Sequence, residues 1–153
     1  DAVKELIDFR VQEGSSLKKD LLGNIGLIQE KLEQIEKLAP ERIESIKGRI
    51  KKSLNDLKID LDLSRFEQEL IYHLEKLDIN EEVVRLKNHL IFFKKTINDK
   101  QIEKGKKLSF ISQEIGREIN TIGSKSNHLL MQQVVVEMKN ELEKIKEQLL
   151  NVL

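Results

Sequence analysis

The side chains in this 153-residue chain that could do chemistry fall on two stripes. Asp78, Glu82, Arg85 and His89 sit at i, i+4, i+7 and i+11, and Glu114, Glu118, Thr121 and Lys125 repeat that spacing. Steps of four and three place each set on one face of a helix. Two carboxylates one turn apart repel unless a cation lies between them or each finds its own partner. Lys125, Arg117 and a metal ion are the candidates for Glu114 and Glu118. Carboxylates with an imidazole suit Mn²⁺, Mg²⁺ or Zn²⁺, and the absence of cysteine argues against a purely structural zinc site. A bland reading stands beside this one: Asp78 caps its helix, Glu82 pairs with Arg85, and His89 packs in the core. Spacing alone favours the bland reading.

The elements that must hold these stripes follow from apolar spacing. Val3, Ile7, Leu17, Leu21, Ile25, Ile28, Leu32 and Ile35 keep one seam, which predicts a first helix from the start to about residue 38. Two positions of that seam hold Arg10 and Gly14. Glycine costs a helix about 1 kcal/mol relative to alanine, so Gly14 suggests a close helix crossing. Arg10 either pairs with Glu13 or points into a shared polar site. Pro40, suited to a first helical turn, should open a second helix carrying Ile43, Ile46, Ile50, Leu54 and Leu57. Residues 1–63 then read as a long helical hairpin, with 58–63 as connector.

Ser64 should cap a helix carrying Phe66, Leu70, Leu74 and Leu77, with Arg65, Glu69, Lys76 and either Tyr72 or His73 along its polar edge. Asp78-Ile-Asn-Glu reads as a capping box opening a helix that buries Val83, Leu86, Leu90, Phe93 and Ile97. Leu108, Ile111, Ile115, Ile119 and Ile122 predict another over about 106–124. Residues 128–153 keep a heptad from Met131 through Val135, Met138, Leu142, Ile145 and Leu149 to Val152. That regularity suits a left-handed coiled-coil seam against the first helix or another subunit. No period-2 pattern occurs. The expectation is a single all-α domain of antiparallel hairpins or a helical bundle, with coiled-coil-like first and last helices.

Composition mainly excludes. The 27 basic residues balance the 27 acidic ones, so any polyanion must meet a local patch. Lys94, Lys95, Lys100, Lys104, Lys106 and Lys107, against Asp99 and Glu103, form one such cluster between the two stripes. The doublet Phe92-Phe93 reads as core before it reads as a base-stacking platform. No apolar run approaches the roughly 20 residues that span a bilayer. Lack of cysteine fits a reducing compartment, and a cytoplasmic location is expected.

Residues 105–127, GKKLSFISQEIGREINTIGSKSN, resemble the C-terminal signature of the YicC/YloC family of bacterial endoribonucleases, roughly GRKLDFLxQExxREINTxxSKS. Arg10-Val-Gln-Glu-Gly14 with Leu17 and Asp20 resembles the family's RExEGxxLxxDL. Residues 76–89 resemble KxDIxEExxRLxSH, and 143–148 resemble IEKIREQ. These motifs span nearly the whole chain in the family's order. Ser109 and His128 depart from it, each standing where the family usually has aspartate.

The resemblance implies the C-terminal domain of a metal-dependent endoribonuclease, with an N-terminal domain of comparable size missing from this chain. It implies Mn²⁺ or Mg²⁺, RNA and not DNA as partner, no membrane, and a homo-oligomer, a hexamer in the full-length protein. Glu82, His89, Glu114 and Glu118 would bind metal or transfer protons, with Asp78 and Glu69 as further metal ligands. Arg10, Arg85, Arg117, Lys125, Lys104, Lys106 and Lys107 would contact RNA. The competing expectation is a non-catalytic helical oligomerisation domain, its stripes serving as polar networks that set register.

Overall fold

The computed structural model describes residues 1–57, 62–100 and 103–151. Among them the chain forms five α-helices and no strand: α1 (Ala2–Asp56), α2 (Leu63–Leu77), α3 (Asn80–Asn98), α4 (Gly105–Lys125) and α5 (Leu129–Leu150). None is long and apolar enough to cross a membrane.

Four of these helices make a bundle, and the pairs that cross it give its directions. Asn24 meets Gln148 and Lys31 meets Glu137, so α1 and α5 run antiparallel. Lys94 donates to Gln29 and Lys87 to Glu36, so α3 is also antiparallel to α1. Arg85 reaches Glu118 and Lys125 reaches Glu82, which sets α4 antiparallel to α3. Gly116 lies against Leu142 and Gly123 against Val135, which does the same for α4 and α5. The core between them holds the expected stripes: Leu21 to Ile35 of α1, Val83 to Ile97 of α3, Leu108 to Ile122 of α4 and Met131 to Leu149 of α5. Val152 lies outside the described residues.

Three local expectations are corrected. The helix does not break at Pro40: α1 runs through it, so residues up to 56 form one helix and not a hairpin. A mid-helix proline loses one hydrogen bond and crowds the preceding turn, a cost of about 3 kcal/mol. Ile35 and Arg42 on either side are buried, so packing against the neighbours holds the helix continuous through Pro40. The expected connector falls largely on residues 58–61, outside the described residues. Asp62, not Ser64, caps α2, its carboxylate accepting from the Arg65 N–H. The capping box at Asp78 does not form. Ile79 is the N-cap of α3, and Asp78 Oδ1 accepts from the Asn80 N–H at 3.0 Å, an Asx turn.

Gly14 is not a close crossing within this chain. A Cβ there would meet nothing within 4 Å, and residues 1–16 are all exposed. The tight glycines are on α4: a Cβ on Gly123 would lie 3.0 Å from Val135 Cγ1, and one on Gly116 3.1 Å from Leu142 Cδ2.

Candidate functional site

The two ionisable stripes meet across the α3–α4 contact, because antiparallel packing brings the start of α3 beside the end of α4. Glu82, only 3% exposed, accepts from Lys125 Nζ at 2.7 Å through Oε1, and the same oxygen lies 3.6 Å from an Arg85 terminal nitrogen. Arg85 Nε donates to Glu118 Oε1 at 3.0 Å, and its other arm meets Glu81. One guanidinium thus joins three carboxylates from two helices. Each of the two α4 acids has its own partner: Glu118 takes Arg85 from α3, and Glu114 takes Arg117 from its own helix.

Charge states follow from these contacts. Burial alone would raise the Glu82 carboxyl. The Lys125 hydrogen bond, its own backbone N–H and the charges of Lys125 and Arg85 outweigh burial and hold it below the usual carboxylate range. The hydrogen bond to Glu118 raises the Arg85 guanidinium against a smaller opposing effect of desolvation, helped by the charges of Glu118, Glu81 and Glu82. Glu82 Oε2 is buried with no hydrogen-bond partner.

The other expected site residues lie around or away from this cluster. Lys125 also donates to the Asp78 carbonyl at 3.1 Å, which ties Asp78 to the cluster through its backbone. Half-buried Glu114 pairs with exposed Arg117 at 3.3 Å. His89 is half-buried one turn beyond Arg85. Glu69 is exposed on α2, and among the described residues it joins no ion pair. Arg10 is exposed on the part of α1 that leaves the bundle, about 48 Å of helix from Arg42 at 1.5 Å per residue. Lys104 Nζ donates to the Ile97 carbonyl at 3.1 Å and so caps the end of α3, while Lys106 and Lys107 are exposed. Among the described residues of one chain, no three His, Asp or Glu side chains group as a metal site.

Arg42 is the residue the spacing missed. It is 1% exposed, donating to the Leu77 carbonyl at 2.5 Å and to the Lys125 carbonyl at 2.9 Å, the last residues of α2 and α4. A cation at two helix C-termini meets orphaned carbonyls and the negative ends of both helix dipoles. Burial lowers its pKa, opposed by the charge of Asp78, and its Nε has no partner. The signal was present: Ile35, Ala39, Arg42 and Ile46 step by four, three and four. A helix break assumed at Pro40 hides that seam.

The two departures from the resembled motif have plain local roles. His128 is the N-cap of α5, its Nδ1 accepting from the Met131 N–H at 3.4 Å, a task aspartate also performs. Ser109 is exposed, and its carbonyl accepts from the Ser112 hydroxyl at 2.7 Å.

Comparison with known proteins matches residues 35–153 to the family described as "Endoribonuclease YicC-like, C-terminal". A "Probable endoribonuclease YicC" of Clostridioides difficile (strain 630) is 38% identical over 156 residues, covering 99% of this chain and 53% of that protein. One of Haemophilus influenzae (strain ATCC 51907 / DSM 11121 / KW20 / Rd) is 30% identical over 154 residues, with the same coverage. The chain therefore spans about half the length of the curated relatives it matches. With motifs, helix order and family match in agreement, this chain belongs to the YicC-like endoribonuclease family, of which it matches the C-terminal domain.

Proposed function

We propose that the chain is the C-terminal helical domain of a metal-dependent endoribonuclease that hydrolyses phosphodiester bonds in single-stranded or structured RNA. The observation that carries this reading is the meeting of motif residues Glu82, Arg85, Glu118 and Lys125 in one half-buried cluster. Arg85, Arg117 and Lys125 supply positive charge for phosphate. Glu82, held ionised by Lys125, is a weak base and serves to position Lys125 and Arg85; proton transfer falls to Glu118, Glu114 or His89.

Within one chain Arg85 and Lys125 already neutralise Glu118 and Glu82, and the buried Glu82 Oε2, though unpartnered, has no second carboxylate or imidazole grouped with it among the described residues, an arrangement that does not fit a resident cation. Dependence on Mn²⁺ or Mg²⁺ is therefore proposed for the whole protein, with donors from outside one copy of this domain. A homo-oligomer, a hexamer in the full-length protein, would bring such donors together in the cytoplasm.

The same ion pairs favour a second reading, a non-catalytic assembly domain whose polar cluster sets helix register. Glu118→Gln in the full-length protein separates the two. Glutamine keeps an acceptor for Arg85 Nε and removes the charge. The expected outcome is RNA cleavage lowered by orders of magnitude, with oligomer mass and melting temperature near wild type. Activity lost only in step with lost oligomer would instead establish the assembly reading. Full cleavage by an intact oligomer would remove Glu118 from both roles.

A further inference from the structure

The two stripes continue beyond the ionisable cluster into aromatic residues. On α3, Arg85 and His89 lead by steps of four and three to Phe92. On α4, Glu118 and Glu114 lead back by four and three more to Phe110 and Lys107. The α3–α4 register set by the Arg85–Glu118 pair brings Phe92 level with Phe110. Both rings are exposed, Phe92 by 42% and Phe110 by 61%, whereas neighbouring Phe93 is fully buried in the core. Lys107 Nζ lies 4.9 Å from the centre of the Phe92 ring, with Phe110 one turn further along α4.

The stretch from the end of α3 to the start of α4 carries Lys94, Lys95, Lys100, Lys104, Lys106 and Lys107; Lys107 reaches the Phe92 ring, while Lys94 turns to Gln29 of α1 and Lys104 to the Ile97 carbonyl. Among the described residues none of the six pairs with a carboxylate, although lysines elsewhere on the bundle do. Exposed aromatic rings among unneutralised cations suit one class of ligand: a polyanion that carries flat, unpaired bases. A folded protein surface would need its own acidic patch here, and duplex RNA would keep its bases stacked away from the rings.

We propose that Phe92 and Phe110 form a base-stacking platform for single-stranded RNA, with Lys107 and its neighbouring lysines holding the backbone. The strand then runs along the outer face of the α3–α4 contact towards Arg85 and Glu118. The proposal rests on the endoribonuclease reading for its ligand and assigns two residues, and one end of that face, that the cluster itself does not use.

The test measures binding to the full-length protein with divalent metal chelated, so that RNA is held and not cut. The probes are a fluorescein-labelled unstructured ribo-oligonucleotide and an abasic strand of equal length and charge. Phe92→Leu and Phe110→Leu keep apolar bulk and remove the rings, and circular dichroism checks the fold. Each variant should bind the ribo-oligonucleotide at least about fivefold more weakly, as expected for loss of one stacked base. Binding to the abasic strand should not change. Lys107→Gln should weaken both probes and lower the salt dependence. Folded variants that bind the ribo-oligonucleotide like wild type would overturn the platform and leave the endoribonuclease reading standing. Equal weakening of both probes by a phenylalanine variant, or a changed oligomer mass with RNA affinity intact, would also overturn it, the latter in favour of a subunit interface. Wild-type protein that binds neither strand would overturn both readings.

Discussion

Glu82 shows how much one buried side chain can carry. Its carboxylate is nearly sealed from water, yet Lys125 and Arg85 keep it ionised. A carboxyl whose pKa is depressed on folding adds stability above its unfolded value, near 4.3, and loses that contribution as pH falls through the folded value. Glu82→Gln should therefore cost roughly 1–3 kcal/mol at neutral pH, because Lys125 and Arg85 lose a charged partner but still reach water. The gap between variant and wild type should narrow as pH drops below about 4.5. Urea melts at a series of pH values report it, and a gap independent of pH would show that Glu82 titrates alike in the folded and unfolded states. Arg42 answers a different need, since it ends two helices at once and holds the backbone of Lys125 where the side chain can reach Glu82.

Among the elements, α4 is fitted most closely to its neighbours. Gly116 and Gly123 face α5, its isoleucine stripe fills the core, and its ionisable edge meets α3. Gly123 has almost no room for a methyl group, and its neighbour Val135 is branched and buried. Gly123→Ala should therefore lower stability by about 1–3 kcal/mol through overpacking. Gly14→Ala on α1 should do the reverse, raising helix stability by up to about 1 kcal/mol, since its Cβ would enter open space. Thermal melts of the two variants decide the matter, and shifts of the same sign would contradict this packing. By contrast, α2 has no buried residue, and Arg42 takes up its last carbonyl.

In the whole molecule, α1 is much longer than the bundle it joins. Its first 16 residues are exposed, including Val3, Leu6, Ile7, Phe9 and Val11, and they extend for about 24 Å. Deleting residues 1–16 should reduce helical signal in proportion to length and leave the urea midpoint close to that of the intact chain, since no core residue is removed. Circular dichroism and a urea titration measure both. A large fall in midpoint would mean that this segment stabilises the bundle, against the exposure observed.

Local chemistry made much of this legible in the sequence. Apolar steps of three and four identify the core faces of α3, α4 and α5, because the helical period is a property of the backbone itself. The ionisable stripes were legible for the same reason, and the ordered motifs carried the family. Tertiary structure decided the rest. Whether Pro40 ends a helix depends on packing around it, and Arg42 is a helix-capping cation only because α2 and α4 end beside it. Gly14 and Gly123 look alike in sequence, and only the position of α5 tells them apart. Spacing put Glu82 and Glu118 each on a helix edge. That Arg85 and Lys125 pair with them is a matter of antiparallel register, which a single helical period does not contain.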